Sequence, residues 1–233
     1  FDLGGGNLCA NCHQSRSKAA DITATAANRV SIRLGPHHGP HADMLMGVNG
    51  YEYAGKSYGS SAHTYVIQDS CVACHMALPE GRYSLSPKVG GHSFYVKGEV
   101  HEAEKLNVAA CASCHEGIGQ EGEFFDIKQL DYDNDGTVET IQDEVEGLLH
   151  LIVNSESTGI LQTGALKMFD AEGSWISQTS TQEWSADILG AIYNYRFVEE
   201  DRSHGIHNPK YAIQVLYDTI SSIDSSFNTS KRP

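Results

Sequence analysis

The sequence predicts a mainly α fold with much irregular structure, and three observations predict it. One pentapeptide, C-x-x-C-H, occurs three times and takes up every cysteine of the chain. Residues 1–130, which hold the three copies, are rich in Gly, Ser and tight turns and carry little helical periodicity. From residue 131 onward, apolar side chains recur at helical spacing. The 233 residues, 40% hydrophobic and 20% charged, suit one or two soluble domains and not a disordered chain. No apolar run approaches the roughly 20 residues of a membrane helix, so no transmembrane segment is expected. A net charge of −14 argues against nucleic acid as a partner.

The repeated motifs are Cys9-Ala10-Asn11-Cys12-His13, Cys71-Val72-Ala73-Cys74-His75 and Cys111-Ala112-Ser113-Cys114-His115. C-x-x-C-H is the attachment signature of c-type haem: each thiol adds across a vinyl group, and the adjacent imidazole reaches the iron. A thioredoxin-like site wants one C-x-x-C beside a βαβ pattern, which the sequence lacks. A zinc ribbon wants closely spaced C-x-x-C pairs, whereas these lie far apart and each carries its own His. A disulfide framework would not set every cysteine in one local motif. Three covalent haem c groups are therefore expected, on Cys9, Cys12, Cys71, Cys74, Cys111 and Cys114, with His13, His75 and His115 as proximal iron ligands. Such haems are attached in exported proteins, so an extracellular, cell-surface or periplasmic location follows. The chain opens at Phe1 with no basic or apolar leader, and an export signal is expected to have been removed.

In residues 1–130 the turns Gly35-Pro36, Gly39-Pro40 and Gly90-Gly91 leave little room for a peptide core. The haems are expected to supply most of it. Residues 131–233 read as a helical region. Ile141, Val145, Leu148, Leu149 and Ile152 make one helical stripe, and Trp184, Ile188, Ile192 and Tyr195 a second. A third helix starts at Asn208 with Pro209 in its first position and runs through Ile223. The Ser-rich tail beyond is expected to fray or to dock on a neighbour. At the join, Asp131-Tyr132-Asp133-Asn134-Asp135-Gly136 matches the start of a calcium loop, with Asp131, Asp133 and Asp135 as candidate ligands. The twelfth position is Gln142 in place of the usual Glu, and Asp143 or Glu144 serves only if the loop is longer. The plainer alternative is an acidic turn capping the next helix.

Low-spin electron-transfer haem needs a second strong ligand, His or Met. With only four Met in the chain and nine His besides the proximal three, His is the expected choice. His63 stands eight residues before Cys71, and His92 follows two glycines that allow close backbone approach. His37 and His38 lie between two Gly-Pro turns, and His207 precedes the capped helix. These five are the distal candidates. His101 reads as solvated, His150 as lying on the helix surface or at the edge of the core, and His41 and His204 as weaker seconds to their neighbours.

Pro36-His37-His38-Gly39-Pro40, Ser61-Ala62-His63, Cys71–Met76, Gly91-His92-Ser93-Phe94 and the acidic Asp131–Gly136 run resemble extracellular multihaem c-type cytochromes of metal-reducing bacteria and related archaea. So do Tyr193–Val198 and Gly205-Ile206-His207-Asn208-Pro209-Lys210-Tyr211. The likeness covers most of residues 30–223. It implies bis-histidine ligation through His63, His92, His207 and one of His37 and His38. It also implies electron transfer out of the cell, with other redox proteins or further copies of the same chain as partners, since some members polymerise into conductive filaments. The last third also resembles pentahaem nitrite reductases, but the C-x-x-C-K motif of their open haem is missing here. The expectation is thus a haem-cored multihaem cytochrome c, residues 1–130, with a C-terminal helical portion, residues 131–233. It is an electron carrier with no catalytic residues; the alternative is a nitrite or hydroxylamine reductase with one open iron site.

Overall fold

A computed structural model of the chain describes residues 2–26, 33–79, 87–118, 127–176 and 183–233. Its elements are mainly helical, joined by long irregular stretches: α1 (Asn7–Ala10), α2 (His41–Met46), α3 (His63–Val66), α4 (Cys71–His75), α5 (Ile141–Ile152), α6 (Ala186–Asp201) and α7 (Pro209–Ile223). Four short strands complete them: β1 (Thr25–Ala26), β2 (Lys97–Val100), β3 (Ala103–Leu106) and β4 (Glu183–Trp184). The chain gathers into two compact units, one of Phe1–Cys12 and Tyr65–Ile127, the other of His13–Thr64 and Lys128–Pro233. The boundary between them falls inside the first motif, after Cys12.

The first unit carries α1, α4 and the antiparallel β2–β3 hairpin, in register Lys97↔Leu106 to Val100↔Ala103. Its turn, His101-Glu102, has positive φ at both residues (53° and 60°), the geometry that matches the right-handed twist of paired strands. Among the described residues, the buried apolar side chains of this unit are only Leu3, Ala10, Val89 and Val100. Gly90 is required there: at φ 68°, a Cβ would stand 2.5 Å from the Ala77 carbonyl oxygen.

The second unit holds the peptide core. Thr140, Ser185 and Asn208 cap α5, α6 and α7, each side chain accepting from a backbone N–H of the first turn. Pro209 occupies the first turn of α7, as its sequence predicts. The α5 stripe of Ile141, Val145, Leu148, Leu149 and Ile152 is buried throughout. The second predicted stripe is only partly a helix face, because Trp184 lies in β4, paired with Thr25 of β1, and α6 begins after it. Leu189, Ala191, Ile192, Tyr193, Phe197 and Val198 are all buried, so α6 is enclosed on several sides, with α2, α5 and α7 against it.

Segment 47–61 joins this unit through buried polar side chains. Asn194 Oδ1 accepts from Tyr51 N at 2.7 Å, and its amide donates to the Tyr51 carbonyl at 2.9 Å and to Thr219 Oγ1 at 3.0 Å. The C-terminal tail docks: Arg232 forks onto Asp218 at 2.9 and 2.7 Å, and the Gln214 amide donates to the Pro233 carbonyl.

Candidate haem centres and the acidic loop

Of the three motifs, Cys71–His75 is itself a helix, α4, while Cys9 and Ala10 end α1 and the third motif is a run of hydrogen-bonded turns. In α4, Cys71, Cys74 and His75 stand at i, i+3 and i+4 and so share one face. In the first motif Cys12 N donates to the Cys9 carbonyl at 3.0 Å. In the third, Cys114 N and His115 N donate to the Cys111 carbonyl at 3.0 and 2.9 Å. All six thiols are free of disulfides. Burial pushes the thiols of Cys71, Cys74 and Cys111 up, Cys111 to about 11. The Cys71 thiol lies beside that of Cys9, and the Cys111 thiol is close enough to Cys74 to feel its charge.

A carbonyl only accepts, so a ring nitrogen bonded to one is the protonated nitrogen, and ligation falls to the other. His75 Nδ1 donates to the Phe94 carbonyl at 2.9 Å, and His63 Nδ1 to the Ile206 carbonyl at 2.7 Å. In both rings Nε2 is then the nitrogen that would face a metal. His207 Nδ1 donates instead to a carboxylate, Asp201 Oδ1, at 2.7 Å. Burial opposes a charge on this ring, yet Asp201 outweighs it and raises the His207 pKa. His37 and His38 are exposed, with left-handed backbones (φ 66° and 62°), and His38 Nδ1 stands 2.8 Å from Glu200 Oε1. His92 is exposed on the short turn Gly91–Ser93, and His115 is half-buried.

The structure brings His13 together with a histidine that sequence reasoning ranked low. His13 Nδ1 lies 3.2 Å from His41 Nδ1, and the His41 ring centroid is 5.8 Å from that of His207. Burial, together with these two rings, holds the His41 pKa down against the pull of Asp201. No local pattern announces this trio; it is made by α2 and the α6–α7 junction. Asp201 does have a sequence signal, an acid six residues before His207 across a Gly-containing turn.

The first unit also offers the surface a porphyrin needs. Leu8, Tyr65, Val66, Leu78, Phe94 and Tyr95 are exposed there, between 52% and 83%. So many large apolar side chains left in water, over so thin a peptide core, suit a large apolar group bound covalently among them. The residues present fit haem c.

The acidic loop folds on its own groups. Asp133 and Asp135 each turn a carboxylate back to the backbone N–H two residues on, at 3.1 and 2.6 Å, and Asp131 Oδ2 accepts from Gly136 N at 3.2 Å. Glu144, fully buried, reaches back from α5 and accepts from Tyr132 N, Asp133 N and Glu139 N at 2.6, 3.1 and 2.9 Å. Carboxylate oxygens of Asp131, Asp133 and Glu144, and of Asp133, Asp135 and Glu139, lie within 4.8 Å of one another. Burial and neighbouring carboxylates push Asp133 up to about 6. Lys231 Nζ, 2.8 Å from Asp131 Oδ2, already supplies one cation and holds Asp131 below the usual carboxylate range.

Three C-x-x-C-H motifs with free thiols and an exposed apolar face are what a multihaem c-type cytochrome would present. The chain is similar to the C-type polyheme cytochrome OmcB of Geobacter sulfurreducens, strains DL-1/KN400 and ATCC 51573/DSM 12127/PCA, at 25% identity over 246 aligned positions covering 95% of this chain and 31% of the relative. It is also similar to the C-type polyheme cytochrome OmcC of the second strain, at 24% identity over 244 positions, 95% of this chain and 30% of the relative. The chain thus spans about a third of the length of the curated relatives it matches. No family model and no solved structure matches it. Among the described residues, no helix is long and apolar enough to cross a membrane.

Proposed function

We propose that the chain carries electrons through three haem c groups, each with two histidine ligands. The observation that carries this reading is the nearness of thiols from successive motifs, Cys9 to Cys71 and Cys74 to Cys111, which would attach neighbouring haems close to one another. Bound haem supplies reversible one-electron chemistry at iron. The protein's own groups do the rest. Six thiols would attach the haems, His13, His75 and His115 would be their proximal ligands, and His63, His92, His207 and one of His37 and His38 would supply the distal ones. The carbonyls of Phe94 and Ile206 hold the His75 and His63 rings in one tautomer. Six-coordinate iron leaves no position for a small substrate, which favours a carrier over a nitrite or hydroxylamine reductase. Residues 1–130 are then the haem-attaching region, and residues 131–233 the helical region that presents Asp201 and His207. Export to the cell surface or beyond, or to the periplasm, follows from covalent haem attachment, with redox proteins or further copies of this chain as partners. The Asp131–Gly136 loop is proposed to take a hard cation such as calcium.

The intact holoprotein tests this directly. Its mass exceeds that of the chain by three haems, and its ferric paramagnetic resonance spectrum contains low-spin signals only. A high-spin signal from one iron in three would overturn bis-histidine ligation and favour the reductase.

A further inference from the structure

The distal candidate His207 is held by a buried carboxylate. The Asp201 side chain, the last of α6, is 1% exposed and that of His207 is 19% exposed. Arg202, His204 and Gly205 all have positive φ (56°, 47° and 90°), and this tight reversal brings residues six apart into contact at 2.7 Å. Both ends of the carboxylate are held. Asp201 Oδ2 accepts the Ser203 hydroxyl, and Ser203 Oγ in turn accepts the backbone N–H of His207 at 3.2 Å. The other tethered rings differ. His63 and His75 donate to neutral carbonyls, and the His38–Glu200 pair has a ring 77% exposed, where water screens the charge.

A carboxylate accepting from the outer nitrogen of a ligating imidazole draws the proton away and raises the basicity of the nitrogen on the metal. A stronger donor stabilises ferric iron and lowers its reduction potential, and low exposure strengthens the effect. We infer that Asp201 is the positioning residue that gives His207 imidazolate character and makes the haem bound by His207 Nε2 the lowest-potential centre of the chain. The inference rests on the reading of His207 as an iron ligand. It gives the carrier a direction: the His207 haem is the first to give up its electron and the last to be reduced.

The Asp201→Asn holoprotein is the test, by redox titration of all three haems and by the near-infrared charge-transfer bands of the ferric form. The most negative of the three potentials rises while the other two hold, and one band moves to longer wavelength. Ser203→Ala, which removes the hydroxyl donor from the carboxylate, moves the same potential the opposite way and carries the test if Asp201→Asn does not mature. Unchanged potentials and bands in a fully loaded variant overturn the role of Asp201. His207→Met separates this from failure of the underlying reading: one iron becomes histidine–methionine ligated if His207 is a ligand. If all three irons keep bis-imidazole spectra, His207 is no ligand and the inference falls with it.

Discussion

Gly190 lies inside α6 with the ring of Tyr51 against it, so close that a Cβ would stand 2.2 Å from Tyr51 Cδ1. A glycine in mid-helix ordinarily costs about 1 kcal/mol relative to Ala. Here the missing side chain is what lets segment 47–61 reach Asn194, whose amide satisfies both backbone groups of Tyr51. Gly190→Ala is therefore expected to destabilise in spite of its better propensity. Forcing the ring aside costs about 1–3 kcal/mol, and each net kcal/mol lowers Tm by about 2–4 °C in a chain of this size. A thermal melt followed by far-ultraviolet circular dichroism reads it, and an unchanged or raised Tm would show that Tyr51 moves away freely. The same scale explains what sequence reading could reach at the iron ligands. The thiols and proximal imidazoles are legible because one contiguous motif sets their spacing. The meeting of His41 with His13, 28 residues apart, is not, because it depends on where α2 packs.

At the level of elements, α5 and α7 were legible because a buried stripe and a capping Asn or Thr are local signals that tertiary packing then reinforces. The start of α6 was not, since Trp184 fits the helical period but is taken by pairing with Thr25, a partner far away in the chain. The acidic loop is a mixed case. Its Asp131, Asp133, Asp135 spacing and Gly136 are visible in the sequence, and so is Glu144 as an acid two positions later than a standard loop provides; that Glu144 spends its oxygens on three backbone donors is not. Crowded carboxylates around a half-buried Asp133 leave negative charge that Lys231 offsets only at Asp131. Calcium is expected to raise Tm of the chelated protein; a hundredfold excess over Kd stabilises by about 2.7 kcal/mol. Lys231→Ala, which removes the competing ammonium, should strengthen the response and Asp133→Asn weaken it. If calorimetry finds the same Tm with calcium and with chelator, and elemental analysis finds no metal, the loop is an acidic turn fastened by Glu144 and Lys231.

Across the whole molecule, the two units differ in what holds them. The unit of His13–Thr64 and Lys128–Pro233 buries Trp184, Tyr193, Tyr211, Tyr217 and Phe197 and so has a core of its own side chains. The unit of Phe1–Cys12 and Tyr65–Ile127 buries few large apolar side chains among its described residues and exposes six. Chain produced without haem should therefore exchange amide hydrogens quickly over residues 65–118 and slowly over α5, α6 and α7. Equal protection in both units would mean that haem is not the missing core. Assembly is the remaining consequence. With three irons and four distal candidates, His37 and His38 counted once, one candidate would be left over in a monomer. His37 is the best placed to serve another copy: it is exposed, on a turn held between Gly35-Pro36 and Gly39-Pro40, next to a His38 already engaged by Glu200. A ligand donated from one copy to a haem of the next is a heterologous contact, which does not close on itself and grows into a filament. Because the iron–imidazole bond then joins copies, dilution should cost both length and one low-spin haem signal together. Electron microscopy and size-exclusion chromatography of the holoprotein at micromolar concentration, with His37→Ala beside it, decide the matter. The filament reading predicts polymers for the native chain and, for the variant, shorter species with one altered haem. A native monomer with three fully ligated irons would leave the chain a shuttle that passes electrons only by collision.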